Sequence, residues 1–596
     1  MKTRDEIDLK DTWDLKPLFS SPEEWEKTFQ KAKNLPALEP FKGHLKDGID
    51  TFVAACQVIY DTCRELEKLY TYAHLYHDVE ITAVDAKSKY AQIQTLFQTF
   101  QDQRSWFEPE ILSLPDDLLK KYLNDPKLGA FRFPTEVIVH LKPHILDAEG
   151  EAILAKSDEA LSTTYKAYKA LTDADIAFPE IKDSQGNSHP LSHGAYGLYL
   201  RSPDRTLRKE AFTTFHQSFA QFGNTLGELF QGIIKNHQFH AKTRGYKSCL
   251  EAALFPRNIP TEVYHALIES VRNGIGAHHK YIDLRKKILG VEAFHLYDSY
   301  APLVEGVDVD IPYDEAVDLV IASVAPLGKE YQDTLAKGLK TQGWVDRYEN
   351  KNKRSGAYSS GCYDSHPYIL MNYKGTFRDL FTLAHEAGHS MHSYLSKKTQ
   401  PYPIADYPIF LAEVASTFNE ELLFQHLLKN TADPKKRRYF ITQKLDDLRA
   451  TFFRQTLFAE LELQTHQWVE EGIPLTPEKL NAYYKELTEF YFGPSLVFDS
   501  FGQVEWSRIP HFYYNFYVYQ YATGLSAALQ LADVVSKGGE SERNRYLKFL
   551  SSGGSNYPIP LLKEAGVDLT KGDAVAATLQ LFEQLTNELA LECGKC

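Results

Sequence analysis

Apolar residues recur at helical spacing through most of this chain, and Pro or Gly interrupts the pattern at intervals of roughly twenty to thirty residues. No fixed-period repeat is apparent in the sequence. Residues 355–373 break this rhythm, because small residues and glycines come first and the run YILMNY at 368–373 then predicts a strand. We therefore predict a mainly α fold with one small β element.

The helical pattern suggests three regions along the chain. Residues 1–110 predict an N-terminal helical region with two long helices between 49 and 107. Residues 111–190 continue the helical pattern between several prolines and end in a cluster of turn residues. Residues 191–596 contain no Gly/Ser linker, so we expect them to form one body.

The charge balance restricts the classes of partner. The 596-residue chain has a formal net charge of -14 and a pI near 5.9, whereas nucleic acid or an anionic membrane would favour clustered Lys and Arg. The N-terminal sequence MKTRDEIDLKDTW lacks the apolar core of a secretory signal, and no stretch is apolar enough for a good membrane span. We expect no nucleic-acid or membrane partner.

The cysteines indicate the compartment. Six cysteines in a chain without a recognisable signal fit free thiols in a reducing environment, so we expect a cytoplasmic protein. Cys593 and Cys596 form a C-x-x-C pair, but no second ligand pair lies nearby, and we interpret them as part of an ordinary terminus.

The most specific motif lies on a predicted helix. Thr376 followed by Asp379 resembles a capping box, so a helix should begin near position 377 and end near position 395. Within it, the sequence HEAGH is H-E-x-x-H, and the imidazoles of His385 and His389 share one helix face and can share one ion. The spacing predicts a zinc site with Glu386 beside it as the general base for a hydrolytic water.

A catalytic zinc needs a third protein ligand, and the candidates are His392, Glu413 and Glu420. His392 does not complete the extended H-E-x-x-H-x-x-G-x-x-H pattern, so we interpret it as packed. A second helix is predicted from position 409, and on it Glu413, Ser416 and Glu420 form a polar stripe that is costly to bury unless it is paired or metal-bound. We interpret Glu413 as the ligand. Glu420, Ser416 and Asp379 are then groups that orient the imidazoles, with an ordinary salt bridge as the alternative for Glu420.

A tyrosine-rich stretch lies nearer the C-terminus. The sequence HFYYNFYVYQY has seven aromatic residues within the ten positions 512–521. We predict a helix here, with one face formed by His511, Tyr514, Tyr517 and Tyr521. Core packing is the default explanation for most of these rings, but phenolic O–H groups in a dry site are also good donors to the oxyanion of peptide hydrolysis.

Four segments together resemble the oligoendopeptidase F branch of the thimet oligopeptidase-like zinc metallopeptidases. In chain order they are SGAYSSGCYDSHPYILMNYKGTFRDLFTLA, HEAGHSMH, LAEVASTFNEEL and IPHFYYNFYVYQYATG. The similarity covers about residues 200–585, and residues 115–185 are similar to the helical domain that precedes the catalytic domain in that branch. The resemblance thus implies an oligoendopeptidase-type N-terminal domain at 111–190 and a zinc metallopeptidase catalytic domain at 191–596.

The resemblance also implies the site and the activity. It implies one Zn²⁺ per chain, a two-lobed helical molecule with a deep channel, and cleavage of short unfolded peptides whose backbone pairs with the 356–361 loop and the strand after it. The implied residues are the zinc ligands His385, His389 and Glu413, the general base Glu386, and His511, Tyr514 and Tyr517 as sources of oxyanion and substrate contacts.

Two alternatives stay open. A metallo-carboxypeptidase of similar shape would need a cation to capture the terminal carboxylate of its substrate, and Arg354 and Arg508 lie near the motifs. A non-catalytic peptide-binding protein is disfavoured because Glu386, both histidines and Glu413 are all present. The sequence does not indicate an oligomeric state.

Overall fold

A computed structural model describes residues 1–304, 307 and 310–594, and the chain is mainly α-helical, as predicted. Within the described residues the α-helices, numbered α1 to α25 in chain order, are Pro22–Ala32, Ile49–Asp78, Val84–Arg104, Phe107–Ser113, Asp116–Asn124, Arg132–His140, Ala148–Leu161, Thr163–Ala170, His193–Tyr199, Arg205–Ala220, Gly223–Thr243, Cys249–Leu254, Thr261–Asn273, Gly276–Leu289, Tyr313–Ser323, Lys329–Lys340, Phe377–Thr399, Ile409–Asn430, Pro434–Leu448, Arg454–Glu470, Pro477–Phe492, Tyr519–Lys537, Glu540–Leu550, Pro558–Ala565 and Asp573–Gly594.

The β structure in the described ranges is limited to two small sheets. Their strands, β1 to β5, are Ile181–Lys182, Ser188–His189, Val345–Asp346, Tyr358–Ser360 and Tyr368–Leu370. β1 and β2 form an antiparallel pair at the predicted turn cluster, and the second sheet has the order β3-β5-β4, with β3 parallel and β4 antiparallel to β5.

The predicted strand at 368–373 is present but shorter, and it is the central strand β5. Its neighbours β3 and β4 were not predicted, because two or three residues, rich in Ser in the case of β4, carry no alternation that a sequence pattern can reveal. β4 is the edge strand, with Ser359 opposite Ile369. The prediction that the strand after the 356–361 loop pairs with a substrate is therefore wrong, because both edges of β5 are already occupied.

The chain divides into two compact units. One is formed by residues 1–143, 308–426 and 531–566, and the other by residues 144–307, 427–530 and 567–596. The sequence-based boundaries at 110 and 190 stay a prediction.

The first unit is built around a large apolar core supplied mainly by the N-terminal helices. Trp25 is fully buried and its indole N–H donates to the carbonyl of Leu69 at 2.9 Å. Tyr368 and Leu370 of β5 are buried in this same core. Because each large apolar side chain contributes about 1.5–3 kcal/mol when fully buried, the N-terminal helices anchor the β-sheet firmly.

The helix that carries HEAGH begins where the sequence predicts. The Thr376 hydroxyl accepts from the Asp379 backbone N–H at 3.2 Å, and the Asp379 carboxylate accepts from the Thr376 backbone N–H at 3.0 Å, which is a complete capping box. α17 then continues to Thr399, one turn beyond the predicted end. The predicted second helix is α18, which begins at Ile409.

Two further sequence expectations concern membrane-spanning helices and the cysteine thiols. Among the described residues, no helix combines the length and apolar character that a membrane span requires. Cys56, Cys63, Cys249 and Cys362 are free thiols, whereas Cys596, which forms the C-x-x-C pair with Cys593, lies outside the described residues.

Candidate metal centre

Two imidazoles from α17 meet as the H-E-x-x-H spacing predicts. His385 and His389 are one helical turn apart, and their Nε2 atoms are 3.1 Å from each other. Both rings are mostly buried, with side-chain exposures of 28% and 17%. Two unprotonated nitrogens this close repel each other unless a proton or a cation lies between them, so the pair is suited to hold a positive ion.

Glu413 of α18 completes the group. Its Oε2 atom lies 3.4 Å from His385 Nε2 and 3.8 Å from His389 Nε2, and these three residues form a group that could hold a metal ion. Zinc bonds of about 2.0–2.2 Å in a tetrahedral site put neighbouring ligand atoms roughly 3.3–3.6 Å apart. The three donor atoms lie within a few tenths of an ångström of these separations, so they could hold a metal ion of this size.

Gly388 explains how the two helices approach so closely. A Cβ atom added at Gly388 would lie 2.6 Å from the carbonyl oxygen of Ala415 and 2.7 Å from the Cα of Ser416. Only glycine allows α17 to contact the backbone of α18 at this point. The sequence interpretation missed Gly388, although a glycine inside a well-capped helix was a usable signal because it normally weakens a helix.

A carboxylate fixes the orientation of one imidazole. Glu420 Oε1 lies 2.5 Å from His385 Nδ1, which leaves Nε2 as the nitrogen that points at Glu413. Burial alone would lower the pKa of His385, but the hydrogen bond and charge of Glu420 outweigh it and raise that pKa to about 9. The neighbouring carboxylates thus favour a positive charge at the His385 ring. A divalent cation bound to the ring would also supply that charge.

His389 has a different environment. Burial, together with the nearby His385, lowers the pKa of His389 to about 4, so its ring is neutral at physiological pH. A hydrogen bond to the backbone of Ala412 orients the ring. A neutral imidazole with an oriented lone pair is the form that binds a metal.

Glu386 lies next to the group without belonging to it. The residue is only 6% exposed, and burial raises the pKa of its carboxyl to about 7. One hydrogen bond comes from the backbone of Ser359 on the edge strand β4, whereas Glu386 Oε2 has no hydrogen-bond partner within the described ranges. A carboxyl group with a pKa near 7 and one oxygen free of hydrogen bonds is suited to accept and return a proton.

The supporting residues agree only partly with the sequence interpretation. The Ser416 hydroxyl donates to Glu413 Oε2 at 3.1 Å, so it orients the carboxylate and not an imidazole. The role assigned to Asp379 is wrong, because its carboxylate is committed to the N-terminal cap of α17. His392 is buried and stacked on Tyr407 with ring centroids 3.5 Å apart, as expected for a packed residue.

The tyrosine-rich stretch differs from its prediction. Pro510–Tyr513 is a short 3-10 helix, and the α-helix begins only at Tyr519. Between them Asn515 and Phe516 have φ angles of 50° and 58°. A left-handed backbone in a non-glycine residue costs about 1–3 kcal/mol and persists only where surrounding contacts hold it. The predicted continuous helix is therefore wrong.

The four predicted side chains nevertheless lie together. The His511 ring is 5.6 Å from Tyr514, 6.2 Å from Tyr517 and 5.8 Å from Tyr521, measured between centroids. The Tyr521 hydroxyl lies 3.3 Å from His511 Nε2, and the Tyr514 hydroxyl lies 3.0 Å from that of Tyr165. In the part of the chain that the structure describes, the Tyr517 hydroxyl has no such partner.

Comparison with known proteins supports a single family. Residues 198–581 match the model of Peptidase family M3, and residues 110–178 match the model of Oligopeptidase F. Oligopeptidase PepF from Bacillus subtilis is 43% identical over 98% of this chain and 88% of its own length. An oligoendopeptidase F homolog from Borreliella burgdorferi is 40% identical over 99% of both chains.

Solved structures agree with this result. The crystal structure of oligoendopeptidase-F from Enterococcus faecium is similar with a TM-score of 0.73 and 35% identity, covering 96% of this chain and 99% of that one. A crystal structure of a Chlamydophila abortus protein gives a TM-score of 0.96 at 42% identity, over 99% of this chain and 100% of the other. The chain therefore belongs to Peptidase family M3, among the oligoendopeptidase F metalloendopeptidases.

Proposed function

We propose that this protein is a zinc-dependent endopeptidase that cleaves internal bonds of short, unfolded peptides. The observation that carries the proposal is the triangle of His385 Nε2, His389 Nε2 and Glu413 Oε2, with sides of 3.1, 3.4 and 3.8 Å, beside the buried carboxyl of Glu386. We assign the three residues as ligands of one Zn²⁺ per chain.

The chain's own residues then have separate tasks. A zinc ion bound there would lower the pKa of water towards about 7 and polarise the scissile carbonyl. Glu386 accepts a proton from the attacking water and returns it to the leaving amine nitrogen, for which a pKa near neutrality is favourable. Glu420 and Ser416 hold His385 and Glu413 in position.

We assign His511, Tyr514 and Tyr517 to the contacts with the substrate and its developing oxyanion. The assignment rests on the family membership and on the clustering of hydrogen-bond donors around His511. Tyr517 is the favoured oxyanion donor, because Tyr514 and Tyr521 already share hydrogen bonds with Tyr165 and His511.

The edge strand supports a substrate mode that does not depend on side chains. Among the described strands β4 pairs with β5 alone, and we propose that its outer edge accepts the backbone of an extended peptide. Ser359 of this strand also binds Glu386, which would align the peptide with the general base. We propose short peptides as the substrates, the cytoplasm as the compartment, and no nucleic-acid or membrane partner.

The carboxypeptidase alternative is weakened by the structure. The Arg354 guanidinium lies 3.1 Å from the Asp78 carboxylate, and Arg508 lies 2.6 Å from Glu505. Both cations already have carboxylate partners. Neither is therefore an unpaired site for the terminal carboxylate of a peptide.

A blocked peptide tests the proposal. A peptide of about ten residues with both ends capped should be cleaved internally, and phenanthroline should stop the cleavage until zinc is restored. A stable folded protein containing the same sequence should remain intact, because the proposed substrates are short, unfolded peptides. Failure to cut the capped peptide, together with cleavage of an uncapped one from its end, would identify an exopeptidase.

A further inference from the structure

The turn between Tyr513 and Tyr519 decides where the tyrosine-rich cluster points. Asn515 tolerates a left-handed backbone because its short polar side chain can bond locally, but Phe516 does not. Something outside the segment must hold Phe516 in this conformation. The contacts of Phe516 identify it.

One helix holds both the backbone and the ring of Phe516. The Phe516 backbone N–H donates to Glu462 Oε1 at 2.7 Å, and its ring lies 4.4 Å from the ring of His466. Glu462 and His466 are one turn apart on α20. Tyr264 of α13 also packs against the phenyl ring, edge to face, with ring centroids 5.4 Å apart. The strained residue is thus clamped from two helices.

Glu462 is an unusual residue for this position. It is completely buried, and among the described residues it forms no ion pair and its Oε2 atom has no hydrogen-bond partner. Burial raises the pKa of its carboxyl to about 8, so the group is mainly neutral at physiological pH. A buried carboxyl with one oxygen unpaired is less favourable than an apolar side chain of the same size. Its identifiable contribution is the acceptor that it offers to Phe516.

We propose that Glu462 is the positioning residue of the tyrosine-rich segment, locking the left-handed turn at Phe516 and thereby fixing the phenols of Tyr514 and Tyr517. The proposal deepens the proposed function and rests on it where those phenols are donors to the substrate. Glu462 itself makes no contact with the reacting atoms in this assignment.

Three substitutions of Glu462 separate the acceptor from the bulk of the side chain. Glu462→Gln keeps a carbonyl acceptor at the same distance, Glu462→Asp withdraws it by one methylene, and Glu462→Met removes it at similar volume. We expect Gln to retain kcat within about threefold, and Asp and Met each to lower kcat roughly 10- to 100-fold with little change in KM. Bound zinc should stay at one per chain in all three variants.

Glu460 provides the matched control. It lies on the same helix and is partly buried, but its partners are Arg272 and Tyr491. Glu460→Gln should therefore leave kcat unchanged. Equal losses in Glu460→Gln and Glu462→Met would overturn the proposal, because they would show a general effect of disturbing α20.

A double variant tests whether Glu462 acts through the phenol. If it does, Glu462→Met should lower kcat much less in a Tyr517→Phe background than in the native one. If Glu462→Met lowers kcat as much in the Tyr517→Phe and Tyr514→Phe backgrounds as it does in the native chain, Glu462 does not act through these tyrosines. That result would overturn the proposal.

Hydrogen–deuterium exchange gives a readout that does not depend on activity. The peptide covering residues 511–521 should exchange at least tenfold faster in Glu462→Asp or Glu462→Met than in Glu462→Gln. Unchanged exchange in every folded variant overturns the positioning role. Exchange could be faster in the Glu462 variants while Tyr514→Phe and Tyr517→Phe both keep full activity. In that case Glu462 does position the segment, and the proposed oxyanion donors are rejected instead.

Discussion

The metal group and the tyrosine-rich cluster obtain their geometry in opposite ways. His385, Glu386 and His389 lie on one uninterrupted helix, so the helical repeat alone brings the two imidazoles together. His511, Tyr514 and Tyr517 converge across a 3-10 turn and two left-handed residues. The first arrangement is local and follows from spacing, whereas the second depends on a hydrogen bond from Phe516 to a distant helix.

The way in which a side chain is positioned determines whether a sequence pattern can identify it. Side chains placed by a regular helix can be located by counting positions along the chain. Side chains placed by a strained turn cannot, because the strain is held by a residue more than fifty positions away. The two regions should therefore also respond differently to mutation.

The largest effect should follow loss of a ligand. Glu413→Gln keeps the size of the side chain but removes its charge, so we expect loss of bound zinc and of detectable peptide cleavage. Glu420→Gln should keep the metal with about 10- to 100-fold weaker affinity, because it only orients His385. Metal content and activity of both variants check this. The opposite ranking would exchange the roles of the two carboxylates.

Loss of the general base should come next. Glu386→Gln removes the proton acceptor without removing a ligand, so zinc should remain bound while kcat falls by roughly two orders of magnitude or more. The measurement is kcat together with metal stoichiometry. Retained turnover in a fully zinc-loaded variant would mean that another group accepts the proton.

Loss of a single phenol should have an intermediate effect. Tyr517→Phe should lower kcat about 10²-fold with little change in KM, as expected for a donor that acts only in the transition state. Tyr514→Phe should have a smaller effect because its hydroxyl is engaged with Tyr165. Steady-state kinetics of the two variants decide between them, and a crippled Tyr514→Phe beside an active Tyr517→Phe would reverse the assignment.

Adding a side chain where α17 and α18 approach each other should have a moderate effect. Gly388→Ala places a methyl group against the backbone of Ala415 and Ser416, where no flexible side chain can yield. We expect a loss of about 1–3 kcal/mol in the free energy of unfolding, as for overpacking, together with weaker zinc binding. Ala387→Gly on the same turn is the control for helix propensity. Gly388→Ala with native stability and zinc affinity would contradict the close approach.

The smallest effect should be a pH-dependent change in stability. The pKa of Glu462 is about 8 in the folded chain and about 4.3 when unfolded, so its contribution to stability falls as the pH rises through this interval. Glu462→Gln stays neutral throughout. Its Tm relative to the wild type should therefore be higher at pH 8.5 than at pH 5.5, by roughly 2 °C. Parallel Tm curves across this range would show that Glu462 keeps the same charge in both states.

The helical part of the fold and the metal group could be predicted from the sequence for physical reasons. The capping box at Thr376 and the H-E-x-x-H spacing depend on residues within one or two turns of each other. Glu413 required a further step, since it lies on another helix, and the stripe that it forms with Ser416 and Glu420 supplied the signal. Their contacts with each other and with His385 support that interpretation.

The parts that escaped prediction depend on tertiary contacts. The strand β4 has three residues and is defined by its pairing with β5, so no periodicity was available. The hydrogen bond between Ser359 and Glu386 follows from that pairing. The left-handed turn at Phe516 carries no glycine to mark it, and the local aromatic pattern favoured a helix instead.

The division of the chain also affects how the protein can be made. Each compact unit draws on three stretches that alternate along the sequence, and one of them needs residues 531–566 while the other needs residues 567–596. At roughly 5–20 residues per second, a ribosome takes on the order of 30–110 s to reach residue 566. During that time the early helices are outside the ribosome without the later helices of their unit, so apolar surface stays exposed during synthesis. Each unit should therefore be completed only near the end of synthesis, although the N-terminal helices already share most of one core among themselves.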